Sequence, residues 1–251
     1  MPSVIAFDGV TVAYPGGTVA VDAVTLDIAA GSFVALVGRS GSGKSTLLKT
    51  VNRLVTPTAG RVLIDGQLVD AEPAHGLRRR IGYVFQGVGL FPHLTVAENI
   101  AIPLRLAGRT DAARVDALLD LVELPREIGR RRPDALSGGQ RQRVGVARAL
   151  AAEATLLLMD EPFGALDPMT RDTLGRAVRG LHDRLGLTTL IVTHDMAEAL
   201  LLSDRVLVMA SGRIVADETP AALIAGEGGA EAQELVDVPR RQIRALEGLS
   251  A

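Results

Sequence analysis

Gly38 and Gly43 bracket Arg39, Ser40, Gly41 and Ser42, and Lys44, Ser45 and Thr46 follow at once. This is the spacing Gly-x-x-x-x-Gly-Lys-Ser/Thr. Glycines let a backbone curl until its N–H groups converge on one point, which suits an anion. An apolar run, "FVALV", precedes the loop, and an amphipathic stretch, "STLLKTVNRL", follows it. A strand feeding a helix puts the helix N-terminus, with about half a positive charge, at that point. Lys44 would then bring a full charge to the β- and γ-phosphates of a nucleotide, and Ser45 a hydroxyl to Mg2+. The chemistry indicated is nucleoside triphosphate binding.

Such a loop needs a metal-holding carboxylate at the end of a neighbouring strand. "TLLLMDEP" offers one: apolar residues carry the chain through a core, and Asp160 emerges at the C-terminal edge, where open α/β sheets bind ligands. Glu161 is next in sequence, placed to act as a base or to position a water; such a group contributes about 10² to 10⁴ in rate. His194 ends another apolar run, "TTLIVTH". Two readings stand for it: contact with a terminal phosphate, or plain packing before a helix capped by Asp195 with Glu198 at its third position. Gln86 ends "IGYVFQ" and is either a neutral ligand for Mg2+ or water, or ordinary surface.

A second candidate anion seat lies at "LSGGQ". Ser137 can cap the helix that follows, while Gly138 and Gly139 keep its mouth open ahead of Gln140. It contains no lysine. On its own it also reads as a glycine loop with an ordinary cap.

The elements that must position these residues are legible as an alternation of patterns. "VIAFDGVTVAY" and "VAVDAVTLDI" alternate apolar and polar, which predicts antiparallel strands. "FVALVG", "RIGYVFQ", "TLLLMD", "TTLIVTH" and "RVLVMA" are short apolar runs of the kind buried in a parallel sheet. A helix is predicted from Lys44 to Leu54. Helical spacing prevails from about Gly87 to Glu153, with Val115, Leu118, Leu119 and Val122 on one face. The expected fold is α/β: a P-loop NTPase core of parallel sheet and helices, an N-terminal antiparallel β subdomain and an inserted α-helical subdomain. Residues 1–225 form this domain, with the core and β subdomain at about 1–87 and 154–225 and the helical subdomain at about 88–153. Residues 226–251 read as a tail with one short helix.

The bulk composition narrows the function classes. In 251 residues, 47% are hydrophobic and 22% charged, a globular balance. The net charge of -2 and the 3% aromatic content argue against a nucleic-acid partner. There is no cysteine, so disulfide, thiolate and Cys–zinc chemistry are excluded. No signal peptide is read at the start, and no apolar run is long enough to span a bilayer.

Taken in order, "GRSGSGKS", the glutamine after a strand, "LSGGQRQR", "LLLMDEP", "ALD" and "VTHD" resemble the ATP-binding subunit of ABC transporters, over about residues 3 to 220. The resemblance implies a head-to-tail dimer in which two ATP molecules are sandwiched. Each lies between one copy's loop (Gly38 to Thr46) and the other copy's Ser137, Gly138, Gly139 and Gln140. It implies that Tyr14 stacks on adenine and that Asp167 crosses the dimer interface. Glu161 would be the catalytic carboxylate, His194 the switch histidine, and Ser45, Gln86 and Asp160 the Mg2+ ligands. Integral membrane permease subunits, an extracytoplasmic solute-binding protein and a place on the cytoplasmic face of the membrane are implied too. "IGYVFQGVGLFPH" and "DEPFGALDPMTRD" more narrowly resemble importers of glycine betaine, choline, carnitine and related quaternary amines. Many of those subunits add C-terminal CBS domains, which this sequence lacks, so regulation by that module is not expected. ABC importers of an amino acid or another small solute, and soluble ABC ATPases of DNA repair or translation, are the alternatives. The stretch "GVGLFPHLT", with Leu90 and Phe91, is either a docking surface for the membrane subunit or core. The basic runs 77–80 and 130–132 are either solvated faces or lie near anionic lipid.

Overall fold

The computed structural model describes residues 3–151, 154–164 and 166–248. The chain begins with β1 (Ser3–Ala13), β2 (Val19–Ala29), β3 (Phe33–Val37), α1 (Lys44–Val51), β4 (Ala59–Ile64) and β5 (Gln67–Leu68). Next come α2 (Ala74–Arg79), β6 (Ile81–Val84), α3 (Val96–Leu106), α4 (Ala112–Leu121), two 3-10 turns, and α5 (Gly138–Leu150). It closes with β7 (Leu156–Asp160), α6 (Pro168–Leu185), β8 (Thr188–Val192), α7 (Met196–Leu202), β9 (Arg205–Ala210), β10 (Arg213–Glu218), α8 (Pro220–Ala225) and α9 (Gly229–Gly248). These elements form two compact units, Met1–Val69 with Leu190–Ala251, and Asp70–Thr189.

The first unit holds an antiparallel sheet in the order β2-β1-β4-β5. Strict alternation would bury residues of one parity along β1, yet Ile5 and Phe7 are buried and then Val10 and Val12. The register slips between Phe7 and Val10, where Gly9 has φ +60. That bulge turns the following side chains back to the core. The opposing strand makes the same correction at Ala23, φ +48, between buried Val21 and Val24. In the same unit β3 runs parallel to β9, which pairs antiparallel with β10. All five residues of β3 are buried, as an apolar run covered on both faces requires.

In the second unit β6 runs parallel to β7, and α5 packs on β6 and α3. Val115, Leu118, Leu119 and Val122 are all buried, as their spacing predicts. Leu77 is buried, while Arg78 to Arg80 and Arg130 to Arg132 are exposed, as either reading of the basic runs requires.

Several element ends differ from the sequence reading. Helix α1 stops at Val51 because Arg53 turns left-handed, φ +56, and the N–H groups of Leu54 and Val55 close back on the Lys49 carbonyl. Strand β6 stops at Val84, so Gln86 lies on the loop beyond it. The expected short terminal helix is the 20-residue α9, anchored through buried Ala232 and Val236 one helical turn apart. The expected boundary at Glu153, Ala165 of "ALD" and the last three positions of the expected tail, 249–251, lie outside the described residues.

Candidate nucleotide site

In the first unit, β3 delivers the chain into the glycine loop. Gly38, Gly41 and Gly43 have φ of +151, +79 and +104. A Cβ on Gly38 would lie 2.1 Å from the Met209 carbonyl oxygen, and one on Gly43 would lie 2.0 Å from that of Ala20. The loop is therefore threaded between backbones at positions where only glycine fits. Gly43 caps α1 without a side-chain hydrogen bond, and a glycine-led helix N-terminus of this kind suits an anion. Lys44 is buried, and its Nζ donates to the carbonyls of Gly38 (2.8 Å) and Arg39 (2.9 Å) and to Ser42 Oγ (3.4 Å). The charge is thereby folded over the mouth of its own loop. The Ser40 and Arg39 side chains are exposed, and Arg39 pairs with Glu234 of α9 at 3.8 Å.

Tyr14 follows β1, 44% exposed, with its hydroxyl 3.5 Å from Thr46 Oγ1. An aromatic face on that side of the loop can receive a base. His194 is exposed just past β8. The Thr193 N–H donates to the Leu36 carbonyl, which sets His194 at the same strand edge from which the glycine loop springs. Asp195 caps α7 through the N–H groups of Ala197 and Glu198, as its spacing predicts.

In the second unit, β7 carries Asp160 to its C-terminal end at 1% exposure. Tyr83 of the neighbouring β6 lies beside it. Burial, and then the Asp160 carboxylate, push the Tyr83 phenol well above its ordinary value, so it stays protonated next to that charge. Glu161 follows with a left-handed backbone, φ +46. Its Oε2 accepts a hydrogen bond from Gln86 Nε2 at 2.9 Å. The structure thus brings together two residues 75 positions apart that strand-end reasoning had singled out separately. Within this unit the carboxylate of Asp160 and the amide oxygen of Gln86, and in the first unit the hydroxyl of Ser45, are each hard oxygen donors, a chemistry that suits Mg2+.

The "LSGGQ" stretch opens α5 with a full capping box. Ser137 Oγ accepts from the Gln140 N–H (3.2 Å), and Gln140 Oε1 accepts from the Ser137 N–H (3.0 Å). The Ser-x-x-Gln spacing carried that second half of the box, which the sequence reading passed over. Gly138 is exposed, and a Cβ on Gly139 would sit 2.8 Å from Thr170 Cγ2, so Gly139 lets α5 start close against α6. Asp167 is exposed and caps α6 by accepting the Thr170 N–H at 3.0 Å. Hydrogen bonds from Thr170, side chain and then backbone, hold its carboxyl below the usual range. Among the described residues, no helix is long and apolar enough to cross a membrane.

A family model described as ABC transporter matches residues 21–164, more than half of the chain. The chain belongs to the ABC transporter family. It is 49% identical over 217 residues to the carnitine transport ATP-binding protein OpuCA of Listeria monocytogenes, covering 85% of this chain and 55% of that one. It is 46% identical over 212 residues to the glycine betaine uptake system ATP-binding protein YehX of Escherichia coli, covering 83% and 69%. It is also 51% identical over 208 residues to the sulfate/thiosulfate import ATP-binding protein CysA of Caulobacter vibrioides, covering 80% and 60%. The chain thus spans little more than half the length of its OpuCA relative. Its fold is that of ABC cassettes. The dimeric post-hydrolysis cassette MJ0796, bound to ADP and phosphate, matches with TM-score 0.80 and 34% identity over 86% of this chain and 98% of that one. The cassette cbiO1 of Clostridium perfringens, part of the transporter complex cbiONQ, matches with TM-score 0.83 and 28% identity over 99% and 100%.

Proposed function

We propose that this chain is the ATP-hydrolysing subunit of an ABC importer, working as a head-to-tail pair with a second copy. The observation that carries the reading is the Gln86–Glu161 hydrogen bond next to buried Asp160, which gathers a base, its neutral neighbour and a metal carboxylate at one strand end. Lys44 exchanges the carbonyls of Gly38 and Arg39 for phosphate oxygens, and the N–H groups from Gly38 to Thr46 hold the rest of the chain of phosphates. Tyr14 stacks on the adenine. Ser45, Gln86 and Asp160 supply oxygen donors to Mg2+, which when bound neutralises charge developing on the β- and γ-phosphates. Glu161 takes the proton of the attacking water, and His194 contacts the γ-phosphate. Ser137, Gly138, Gly139 and Gln140 of one copy cover the ATP of the other, with Asp167 at the seam. ATP completes the interface, so its binding favours the closed pair and its hydrolysis releases it.

The same reading divides the chain into a core with β subdomain, about 1–87 and 154–225, a helical subdomain, about 88–153, and a tail from 226. It places the chain on the cytoplasmic face of a membrane, held by permease subunits that dock at residues 87–95, where Phe91 is 47% exposed. An extracytoplasmic binding protein supplies the solute. Relatives named for carnitine and glycine betaine support a quaternary ammonium osmoprotectant, recognised by aromatic rings in another chain. The CysA likeness supports a second reading, an oxyanion importer. ATPase activity of the reconstituted transporter, stimulated by glycine betaine and not by sulfate, supports the first; the reverse supports the second.

The enzymatic part is tested with Glu161→Gln. Nucleotide affinity stays near that of the unaltered chain, while hydrolysis falls by about 10² to 10⁴. Turnover near the unaltered rate removes Glu161 from the role of base.

A further inference from the structure

Arg148 is an arginine in the middle of the apolar run "VGVARALA", and it is 7% exposed on α5. Buried charges are normally paired with an opposite charge. Here the guanidinium faces backbone and ring instead. Nη1 donates to the Gly89 carbonyl and Nη2 to the Val88 carbonyl, both at 2.6 Å, and its carbon lies 5.8 Å from the centre of the Phe85 ring. Burial lowers its pKa, so the environment works against the charge it holds.

The turn it grips is strained. Val88, a β-branched residue, has φ +61, and Gly89 follows at +57. Such a residue is held in the left-handed region only where its surroundings over-determine it. The Gly89 N–H closes on the Gly87 carbonyl at 2.6 Å and that of Val88 on the Phe85 carbonyl at 3.0 Å. A Cβ on Gly145 of α5 would lie 2.9 Å from Val88 Cγ1, so Gly145 gives Val88 a seat on the same helix. Gln86 sits within this turn, and Gln86 is the residue that reaches Glu161. Helix α5 begins at "LSGGQ" and ends in this grip, so one rigid element is tied at both ends to pieces of the site.

We infer that Arg148 is a positioning residue: its two-pronged grip on the Val88 and Gly89 carbonyls sets the turn that presents Gln86 to Glu161 and makes that turn move with α5. The inference rests on the proposed ATPase reading. Lysine keeps the charge but has a single ammonium in place of the planar fork. Its rotatable N–H groups do not form the rigid, planar pair of donors that fixes the two carbonyls relative to each other. Glycine at 88 adopts the left-handed turn without strain and so needs the grip less.

The test uses the full chain and Mg·ATP, with the unaltered protein and Glu161→Gln measured in parallel. Arg148→Lys is expected to lose about tenfold or more in kcat, with KM for ATP within about twofold, the pattern of a lost transition-state arrangement. Val88→Gly added to Arg148→Lys is expected to restore most of that kcat. Arg148→Lys with an unchanged kcat overturns the inference. So does a loss that Val88→Gly does not restore, because damage to α5 would then be the cause. If Arg148→Lys alone does not fold, a folded and active double variant supports the inference and an unfolded one overturns it. An unaltered chain without ATPase activity, or an active Glu161→Gln, indicts the functional reading instead.

Discussion

At Glu161 the backbone adopts φ +46, a conformation that side chains with a Cβ rarely take. Strain held at a functional position costs stability that the rest of the fold supplies. Replacing Glu161 by glycine or alanine removes the same carboxylate, but only alanine keeps the strain. Glu161→Gly is therefore expected to be more stable than Glu161→Ala by about 1 kcal/mol, measured by urea unfolding, although both lack the carboxylate. Equal stabilities would mean that the left-handed turn carries no cost. The residue types at Asp160, Glu161 and Gln86 were legible in sequence, because each follows an apolar run that ends at a sheet edge. Their contact was not. Gln86 lies beyond β6 on a turn whose shape depends on Val88, Gly89 and Arg148, and no local pattern announces it. Arg148 itself reads as one charge on an otherwise apolar helix, and only the burial of its fork against two carbonyls gives it a role.

Among elements, α3 shows how a cap fixes a start. Thr95 Oγ1 accepts the Glu98 N–H at 3.2 Å, and Glu98 Oε2 accepts the Thr95 N–H at 2.8 Å. Thr95→Ala is expected to cost about 1 kcal/mol, read as a lower urea midpoint. The Thr95 backbone N–H and then its hydroxyl hold the Glu98 carboxyl below its usual range. A depressed carboxylate stabilises the fold above its unfolded pKa, and the contribution is lost as pH falls through the folded value. Glu98→Gln should accordingly lower stability at neutral pH and leave the acid end little changed, which flattens the acid limb of the stability profile. A profile parallel to that of the unaltered chain would show that the box has no electrostatic part. Caps and buried runs are local signals, which is why the P-loop strand, α1, α7 and the apolar face of α4 were readable. The length of α9 was not readable, since the glycines before it and Pro239 within it suggest a break. Burial of Ala232 and Val236 overrides that local preference. The paired bulges at Gly9 and Ala23 were hidden for a similar reason, because a register shift is a property of two strands together.

For the whole molecule, the central claim is quaternary. "LSGGQ" opens a helix by a self-contained capping box, with no lysine, in a different compact unit from the glycine loop. The account makes it the cover for a nucleotide held by another copy. Lys44→Met removes the phosphate grip of a chain and leaves its "LSGGQ" intact. Ser137→Arg blocks that cover and leaves the glycine loop intact. In a head-to-tail pair of one variant with the other, one site joins the intact loop of the Ser137→Arg chain to the intact cover of the Lys44→Met chain. The most direct measurement is Mg·ATP hydrolysis by each variant alone and by their equimolar mixture. The account predicts that each alone is inactive and that the mixture recovers turnover. A mixture as inactive as its parts, or a Ser137→Arg chain that turns over ATP unaided, would contradict it.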